Sequence, residues 1–346
     1  MSPPSASAES GGGGGEEERP RVGYLGPEGT FTEEALLASA EPGAVRPVAL
    51  GTIYDTVLAL ARGELDWAVV PIENSLDGSV SVTLDLLATE DVSMEIVGEA
   101  LLSVKHSLIA CKDVGLAEIQ TVLTHPQVPG QCERFLRGEL AHARVLAASS
   151  TAEAVRIVAA DARREQAALG TRLAAEIYGA TVIREGVQDR DDNETRFVWL
   201  ARSTRDAHAE DTRADPPLRN RGDGEWKTSL VFWGPGADSA GWLVRCLDEF
   251  GRREINLTKI ESRPKRERMG SYMFFVDLHG RMGEPAVVQA LNGLREICEQ
   301  VRVLGSYRAG RGPVEVRPGA NTAADEAATD RHDSSTPSLH SGAVDG

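Results

Sequence analysis

The segment RVGYLGPEGTFTE, residues 21–33, decides the fold class of the first half of the chain. Its first five residues, Arg21–Leu25, are mostly apolar or β-forming and predict a strand. A glycine-rich turn follows, and Thr30 with Glu33 then matches the capping box, the sequence signature of a helix N-terminus. A strand that passes through a tight turn into a helix is the repeating unit of an α/β fold.

The alternation of strand and helix continues to about residue 202. Short apolar runs predict three more strands, Trp67–Pro71, Thr121–Thr124 and Arg144–Ala147. One helical pattern has an apolar face made of Ile53, Val57 and Leu60. A second capping box lies at residues 150–153. Helix N-termini at the carboxyl ends of strands offer free N–H groups to anionic ligands.

Residues 226–308 have the pattern βαββαβ, which predicts a ferredoxin-like unit. Its predicted strands are Thr228–Trp233, Asn256–Ser262, Ser271–Leu278 and Val301–Tyr307. The first helix has an apolar stripe made of Leu243, Leu247 and Phe250. The second begins near Pro285 and presents Val287, Leu291, Leu294 and Cys298 on one face.

The remaining segments contain few large apolar side chains. Residues 1–20 and 309–346 are therefore predicted to be disordered tails, because they cannot offset the entropy lost on ordering. Residues 205–225 contain mixed charges and two consecutive prolines and are predicted to be a linker. The first domain is thus expected to span residues 21–204 and the second residues 226–308.

The composition argues against several classes of protein. The formal net charge is −16, and nucleic acid is not an expected partner because phosphate binding requires dense positive charge. No run of about 18 apolar residues occurs, so we expect a cytoplasmic protein without a membrane partner. The four cysteines are too scattered to indicate a zinc site or a disulfide framework.

The acidic stretch DRDDNETRF, residues 189–197, invites a test for a metal site. Asp189, Asp191 and Asn193 alternate as in a calcium loop, but the glycine and the bidentate acid that an EF-hand requires are missing. No metal is therefore expected. A solvated loop and the edge of a catalytic cleft both remain open, because Thr195 and Arg196 follow where the loop enters a strand.

The glycines of the opening segment are spaced GxxGxxG rather than GxGxxG, and no lysine follows Gly29. This spacing disfavours dinucleotide and nucleotide binding. Two interpretations remain. The turn either binds a small carboxylate through its backbone N–H groups or is a purely structural glycine turn.

Several motifs occur together in an order that is typical of one enzyme family. They are GPEGTF at 26–31, PIENS at 71–75, HPQ at 125–127, STA at 150–152 and NETRF at 193–197. With these motifs the chain resembles the prephenate dehydratases over about residues 21–308. The segment INLTKIESRP, residues 255–264, is similar to the ACT regulatory domain of the same enzymes.

The resemblance implies a catalytic domain of two α/β lobes, similar to a type II periplasmic binding protein, with the cleft between them. Lobe one would hold residues 21–98 and 182–204, and lobe two residues 99–181. The ferredoxin-like unit would be the ACT domain. All of the catalytic-domain motifs would then lie at strand ends that face the cleft.

The resemblance also implies the reaction, in which prephenate loses carbon dioxide and water to give phenylpyruvate in phenylalanine biosynthesis. No redox step occurs, so no cofactor is expected. Thr195 matches the family's catalytic threonine and should donate a hydrogen bond to the leaving hydroxyl. Arg196 is predicted to hold a substrate carboxylate. Its alternative is a salt bridge to Asp191, Asp192 or Glu194, because neighbouring strand residues point to opposite faces.

Further site residues are expected by resemblance. The expected substrate contacts are Thr30, Asn74, Ser75, Thr124, Gln131, Ser150 and Thr151. Phenylalanine is the expected effector, and its expected contacts are Gly241, Trp242, Leu243, Glu261, Ser262, Arg263 and Pro264. Trp242 replaces the alanine that is usual in this family, and it is expected to fill or reshape the effector pocket.

Shared ACT sheets imply a homodimer or a homotetramer. Two alternative functions remain open at this stage. An arogenate dehydratase would act on the amino analogue of prephenate, and no residue decides between the two substrates. A non-catalytic sensor of small carboxylates would keep the cleft and the ACT domain without turnover.

Overall fold

The computed structural model describes residues 19–89, 93–161, 163–203, 215–219, 224–310 and 312–314. Most of the two predicted tails and of the predicted linker lies outside these residues. The described part of the linker packs on the first lobe, where the backbone N–H of Glu41 donates to Pro217. The start of the C-terminal segment also packs there, because the N–H of Val314 donates to Leu101.

Lobe one is built from a six-stranded sheet and three helices. Its N-terminal elements are β1 (Arg21–Leu25), α1 (Phe31–Ser39), β2 (Arg46–Leu50), α2 (Ile53–Ala61), β3 (Trp67–Asn74), β4 (Gly78–Ser79), α3 (Ser81–Ala88) and β5 (Met94–Ser103). Strands β1, β2 and β3 are parallel, as expected for strands that are joined through helices. The apolar residues of α1 and α2 pack on the two faces of this sheet.

Lobe two is inserted after β5 and is a five-stranded sheet with four helices. Its elements are β6 (Ser107–Ala110), β7 (Thr121–Thr124), α4 (Val128–Gln131), α5 (Glu133–Glu139), β8 (Arg144–Ala147), α6 (Thr151–Ala160), β9 (Gln166–Gly170), α7 (Arg172–Tyr178) and β10 (Thr181–Arg184). The strand order is β10-β6-β9-β7-β8. The chain then returns to lobe one as β11 (Glu194–Arg202), which lies antiparallel between β3 and β5.

The fold class expected from the sequence is confirmed, with two α/β lobes joined by two crossing segments. The crossings lie a few residues away from the expected lobe boundaries. Strand β5 continues to Ser103 in lobe one because its second half also pairs with β11. Strand β10 belongs to lobe two because it pairs with β6.

The C-terminal region is the predicted βαββαβ unit. Its elements are β12 (Trp226–Trp233), α8 (Trp242–Gly251), β13 (Leu257–Pro264), β14 (Tyr272–His279), α9 (Pro285–Ile297) and β15 (Gln300–Arg308). The antiparallel order β13-β14-β12-β15 is that of a ferredoxin-like sheet. On α8 the buried stripe is Trp242, Cys246 and Phe250, with Leu243 and Leu247 at its edge, and Cys298 caps α9 instead of lying on its face.

The ferredoxin-like sheet packs its second face directly on lobe one. Val231, Phe275 and Leu304 share an apolar core with Ile96 and Val198 of the first sheet. The backbones of β5 and β15 approach closely, since a Cβ atom on Gly305 would lie 2.1 Å from the carbonyl oxygen of Ile96. The C-terminal domain therefore packs directly on β5 and on β11, the strand that contains Thr195.

No helix within the described residues is both long and apolar enough to span a membrane.

Candidate active site

Thr195 and Asn74 meet where two strands end at the boundary between the lobes. They are direct partners in the antiparallel pairing of β11 with β3. The side-chain nitrogen of Asn74 donates to the hydroxyl oxygen of Thr195 at 2.9 Å. Thr195 is half-buried. This contact joins two residues that are 121 positions apart in the chain.

The orientation of the Asn74 amide is fixed by its own neighbours. Its oxygen accepts the backbone N–H groups of Leu76 and Asp77, both at 2.9 Å. Its nitrogen therefore faces β11, where it donates to Thr195 and, at 2.8 Å, to the side-chain oxygen of Asn193. Because the Thr195 oxygen accepts this bond, the Thr195 proton remains available. No acceptor for that proton is found among the residues that the structure describes.

Gln131 is the residue of lobe two that lies next to the Asn74–Thr195 pair. Its side-chain nitrogen donates to Asp77 of lobe one at 3.1 Å, across the cleft. Its oxygen is bonded to a ring nitrogen of His106 at 2.9 Å and lies 3.5 Å from the amide nitrogen of Asn193. Asn74, Asn193, Gln131 and His106 thus form one continuous hydrogen-bonded chain that ends at Thr195.

The Gly26–Thr30 turn lies next to this series of hydrogen-bonded side chains. Phe31, the first residue of α1, stacks edge-on against His106 with 5.4 Å between the ring centres. Thr30 caps α1 as predicted, and its hydroxyl accepts from the Glu33 N–H at 3.4 Å. The second half of the capping box differs from the prediction, because the Glu33 carboxylate accepts the N–H of Gly29 at 2.5 Å. A side chain of α1 therefore fixes the turn.

The lobes touch across the same turn. Thr171 caps α7 of lobe two, and its hydroxyl donates to the carbonyl of Gly29 at 2.6 Å. The hydroxyl of Tyr178 donates to the carbonyl of Glu28 at 2.9 Å. Close packing requires glycine at position 29, since a Cβ atom there would lie 2.7 Å from Ala174. The N-termini of α1 and α7 consequently meet at the closed lobe boundary.

Ser150 and Thr151 lie at the start of α6, at the carboxyl end of the sheet of lobe two. The Ser150 hydroxyl accepts from the Glu153 N–H at 3.0 Å, so the predicted cap is present. The Glu153 side chain pairs with Arg156 at 2.7 Å instead of reaching back to Ser150. Thr151 is buried and Ser150 is half-buried. Free N–H groups at a helix start such as that of α6 favour an anionic ligand.

Three predicted substrate contacts have hydroxyls that are committed to other bonds. The Thr30 hydroxyl is buried, and besides capping α1 it donates to the carbonyl of Leu25 at 2.8 Å. The Thr124 hydroxyl is completely buried and donates to the carbonyl of Leu169 at 3.0 Å, within the sheet of lobe two. This placement corrects its assignment as a substrate contact. Ser75 accepts the N–H of Glu194 at 2.9 Å and donates to the carbonyl of Asp192 at 3.3 Å. Its hydroxyl anchors the loop that leads into β11.

The acidic loop before β11 is held by its own side chains. Asp189 accepts the backbone N–H of Arg134 at 3.0 Å, which joins the loop to α5. Asp192 pairs with Arg190 at 2.6 Å, and Asp191 accepts from Gln188 at 3.1 Å. These acids support the loop and do not converge on the cleft residues.

Arg196 lies on the opposite face of β11 from Thr195. Its buried guanidinium donates to Glu99 of β5 at 2.6 Å, to Asp277 of β14 at 2.5 Å and to the Tyr307 hydroxyl of β15 at 2.7 Å. This geometry corrects both interpretations of Arg196 from the sequence. The side chain does not enter the cleft and does not pair with Asp191, Asp192 or Glu194. The alternation of side chains along a strand turns it towards the C-terminal domain instead.

Ser229 and Lys227 of β12 complete this buried network. The Ser229 hydroxyl donates to Asp277 at 2.5 Å, so the Tyr307 hydroxyl must donate to Ser229, at 2.7 Å, and accept from Arg196. Lys227 pairs with Glu99 at 2.8 Å. Burial alone raises the pKa of the Asp277 carboxyl, but the Arg196 charge and the Ser229 bond lower it below its usual value. Asp277 is therefore held as a carboxylate that is paired with Arg196.

The predicted effector residues divide into two groups. Trp242 is buried, packs against Phe232 and Phe274, and donates its ring N–H to the carbonyl of Ile297 at 2.8 Å. Gly241 precedes it with a left-handed backbone, φ 71°. Glu261, Ser262, Arg263 and Pro264 lie on the edge strand β13. Arg263 pairs with Asp85 of α3 at 3.1 Å, and Pro264 lines a cavity of about 290 Å³ beside α3.

His106 and Asn193 are functional candidates that sequence reasoning did not assign. Asn193 stood inside the quoted NETRF motif, but its role depends on the distant Asn74. His106 follows β5 in a segment without a recognisable motif. Only the folded chain brings its ring to Gln131, and no local signal could have identified it.

The comparisons with known proteins agree with this architecture. A family model described as "Prephenate dehydratase" matches residues 22–205. A prephenate dehydratase from Mycobacterium sp. (strain JLS) is 38% identical over 301 residues, which cover 84% of this chain and 90% of that protein.

Two solved structures resemble most of the chain. A prephenate dehydratase from Arthrobacter aurescens in complex with L-Phe is 35% identical, has a TM-score of 0.71, and the match covers 89% of this chain and 96% of that one. GqqA, described as a novel type of quorum quenching acylase, is 26% identical with a TM-score of 0.70 and covers 84% of this chain and 98% of its own.

Proposed function

Because this chain belongs to the prephenate dehydratase family, we propose that it converts prephenate to phenylpyruvate with the Thr195 hydroxyl as hydrogen-bond donor to the leaving group. In this reaction the bond between the ring and its carboxylate breaks, and the released electron pair enters the ring. The bond from C4 to its hydroxyl breaks in turn. The departing hydroxyl takes up one proton, which the solvent supplies, and leaves as water. Carbon dioxide departs, and the ring becomes aromatic.

The unused proton of Thr195 is the observation that carries this proposal. Its oxygen already accepts from the fixed amide of Asn74 at 2.9 Å, so its proton is the free partner for a ligand in the cleft. A donor that is oriented before the substrate binds stabilises the negative charge developing on the leaving oxygen. An alcohol is a weak acid, so hydrogen bonding is the role that its chemistry supports best.

Neutral donors supply the rest of the binding site in this proposal. The Gln131 amide and the backbone N–H groups at the starts of α1 and α6 are oriented donors. Helix N-termini favour anions, as the two carboxylates of prephenate require. Arg196 is not part of this set, because its donors are already used by Glu99, Asp277 and Tyr307.

The direct test is to incubate the purified protein with prephenate and, separately, with arogenate, without any added cofactor. We expect phenylpyruvate from prephenate at an enzymatic rate and slower formation of phenylalanine from arogenate. Turnover of arogenate alone would assign the chain to the neighbouring reaction. Absence of turnover with both substrates would contradict the proposal and favour a non-catalytic sensor.

We further propose that the ferredoxin-like domain is an ACT domain that binds L-phenylalanine and assembles the chain into a homo-oligomer. The Arthrobacter relative was solved with L-Phe, and the βαββαβ unit here carries the INLTKIESRP segment. The buried indole of Trp242 occupies space that a smaller residue would leave open, so we expect weakened affinity. Isothermal titration of the wild type and of Trp242→Ala tests this, and absence of heat at millimolar phenylalanine in both would contradict it.

A further inference from the structure

His106 lies at the hinge where the two segments that connect the lobes touch each other. The backbone N–H of Val104 donates to the carbonyl of Asn193 at 2.8 Å, and that of Val187 donates to the carbonyl of His106 at 3.0 Å. The N–H of His106 donates to the side-chain oxygen of Gln188 at 3.0 Å. The backbone of His106 is thus fixed on both sides by the returning segment.

The ring of His106 contacts both lobes from this hinge. It is only 1% exposed. On the side of lobe one it stacks edge-on against Phe31, the residue that follows Thr30. On the side of lobe two it bonds to the Gln131 oxygen at 2.9 Å. A residue in this position can transmit the relative placement of the lobes to a side chain in the cleft.

The hydrogen-bond pattern defines the state of the ring. The Gln131 nitrogen donates to Asp77, so the Gln131 oxygen faces His106 and can only accept. The nitrogen Nε2 of His106 must therefore carry the proton. The other ring nitrogen, Nδ1, is buried and has no partner among the described residues. Burial lowers the pKa of the imidazole, which is consistent with a neutral ring.

We propose that His106 is a positioning residue, which as a neutral Nε2–H donor fixes the Gln131 amide so that its NH₂ group points into the cleft. This role rests on the proposed function, because the NH₂ group would leave Asp77 for a carboxylate of the bound substrate. His106 itself does not transfer a proton in the reaction. The geometry favours this because the ring's one donor is already used by Gln131.

The first test compares two substitutions at this position. His106→Gln keeps an N–H donor at similar reach, whereas His106→Leu keeps the volume but removes the donor. We expect His106→Leu to raise KM for prephenate by about tenfold, the loss expected for one hydrogen bond, with a smaller change in kcat. His106→Gln should remain within about threefold of the wild type, with an unchanged dependence of kcat on pH. If His106→Gln instead lost one limb of the dependence of kcat on pH, His106 would be an acid or a base in the reaction, and the proposal would be overturned.

A double-mutant cycle with Gln131→Ala separates positioning from general support of the hinge. The effect of His106→Leu should shrink to less than about threefold once Gln131 is absent, because the two residues act as a unit. Fully additive effects would overturn the proposal. Val114→Ala is the matched control for loss of stability, since Val114 is buried in the apolar core of lobe two, outside the hinge and outside the hydrogen-bonded chain. It should lower the melting temperature and leave KM unchanged.

A spectroscopic measurement keeps this inference separate from the proposed function. The ¹⁵N shifts of the His106 ring in the unliganded protein should report the neutral Nε2–H tautomer at pH 7, and Gln131→Ala should change them. A neutral Nδ1–H tautomer, or shifts that ignore Gln131→Ala, would overturn the role of His106 even if prephenate is turned over. Failure of the wild type to act on prephenate would overturn the proposed function, while the spectra would still decide the His106 contact.

Discussion

At the scale of single residues, the direction of one hydrogen bond determines what Thr195 can do. Asn74 is held by two backbone N–H groups and can present only its NH₂ group to Thr195. Thr195 is thereby an acceptor towards the protein and a donor towards the cleft. An acceptor at position 74 would reverse this direction and use up the proton that the proposed hydrogen bond to the leaving group requires.

Asn74→Asp tests this direction with little change of shape. The new carboxylate can still accept from Leu76 and Asp77, but it would take the Thr195 proton for itself. We expect kcat for prephenate to fall by about a hundredfold or more, as for the loss of an oriented donor. Circular dichroism and gel filtration should show an intact fold. A kcat within a fewfold of the wild type would show that the Asn74 bond does not orient Thr195.

Sequence reasoning at this scale reached Thr195 and Asn74 through motifs, but it could not decide where every hydroxyl points. Thr124 ends a strand just as the cleft residues do, yet its hydroxyl donates to Leu169 inside the sheet. Thr124 and the cleft residues differ in whether other segments of the protein pack over the face of the strand to which the side chain points. That depends on packing between distant segments, and the local sequence does not encode it.

At the scale of elements, β11 has two different functional faces. Thr195 faces the cleft, and the adjacent Arg196 enters the buried network with Glu99, Asp277 and Tyr307. The alternation of a β-strand predicted that the two side chains separate. It could not predict what covers the second face, because Asp277 and Tyr307 lie in a domain that follows an intervening linker. The C-terminal domain therefore stabilises β11 through contacts on the face opposite Thr195.

Tyr307→Phe measures the strength of this support. The substitution removes one hydroxyl and leaves an Arg196 N–H without a partner in a buried position, so we expect a loss of about 1–3 kcal/mol in the free energy of unfolding. Urea unfolding gives the value. Tyr54→Phe is the matched control, because Tyr54 is 54% exposed and should change stability by less than about 0.5 kcal/mol. Equal effects of both substitutions would contradict the network's role in stability.

At the scale of the whole molecule, the lobes are closed through α1 and α7. Besides the bonds at Gly29, the Glu34 carboxyl group on α1 faces the start of α7, where the backbone N–H of Leu173 favours its ionised form and lowers its pKa without offsetting the effect of burial. Burial raises the Glu34 pKa from 4.5 to about 7, and the nearby charges of Glu176 and Glu33 add to the shift. The boundary between the lobes therefore contains a carboxyl group that titrates near neutrality.

This shift predicts a dependence of stability on pH. Below about pH 4.5 Glu34 is protonated in both states, whereas between 4.5 and 7 the unfolded chain loses the proton first. Glu34 therefore lowers stability as pH rises through this window and has no further effect above it. We expect the melting temperature of Glu34→Gln to gain on that of the wild type from pH 4.5 to 7. The exposed Glu41→Gln is the control, and parallel curves for Glu34→Gln would contradict the predicted shift.

The central claim is that the hydroxyl of Thr195 drives the departure of the leaving group from prephenate. Its most direct test is the kcat for phenylpyruvate formation by Thr195→Val, which keeps the shape and loses the hydroxyl, beside Thr195→Ser, which keeps the hydroxyl. We predict that Thr195→Val loses at least about a hundredfold in kcat and that Thr195→Ser stays within about tenfold of the wild type. A Thr195→Val enzyme that turns over prephenate as fast as Thr195→Ser would contradict the account.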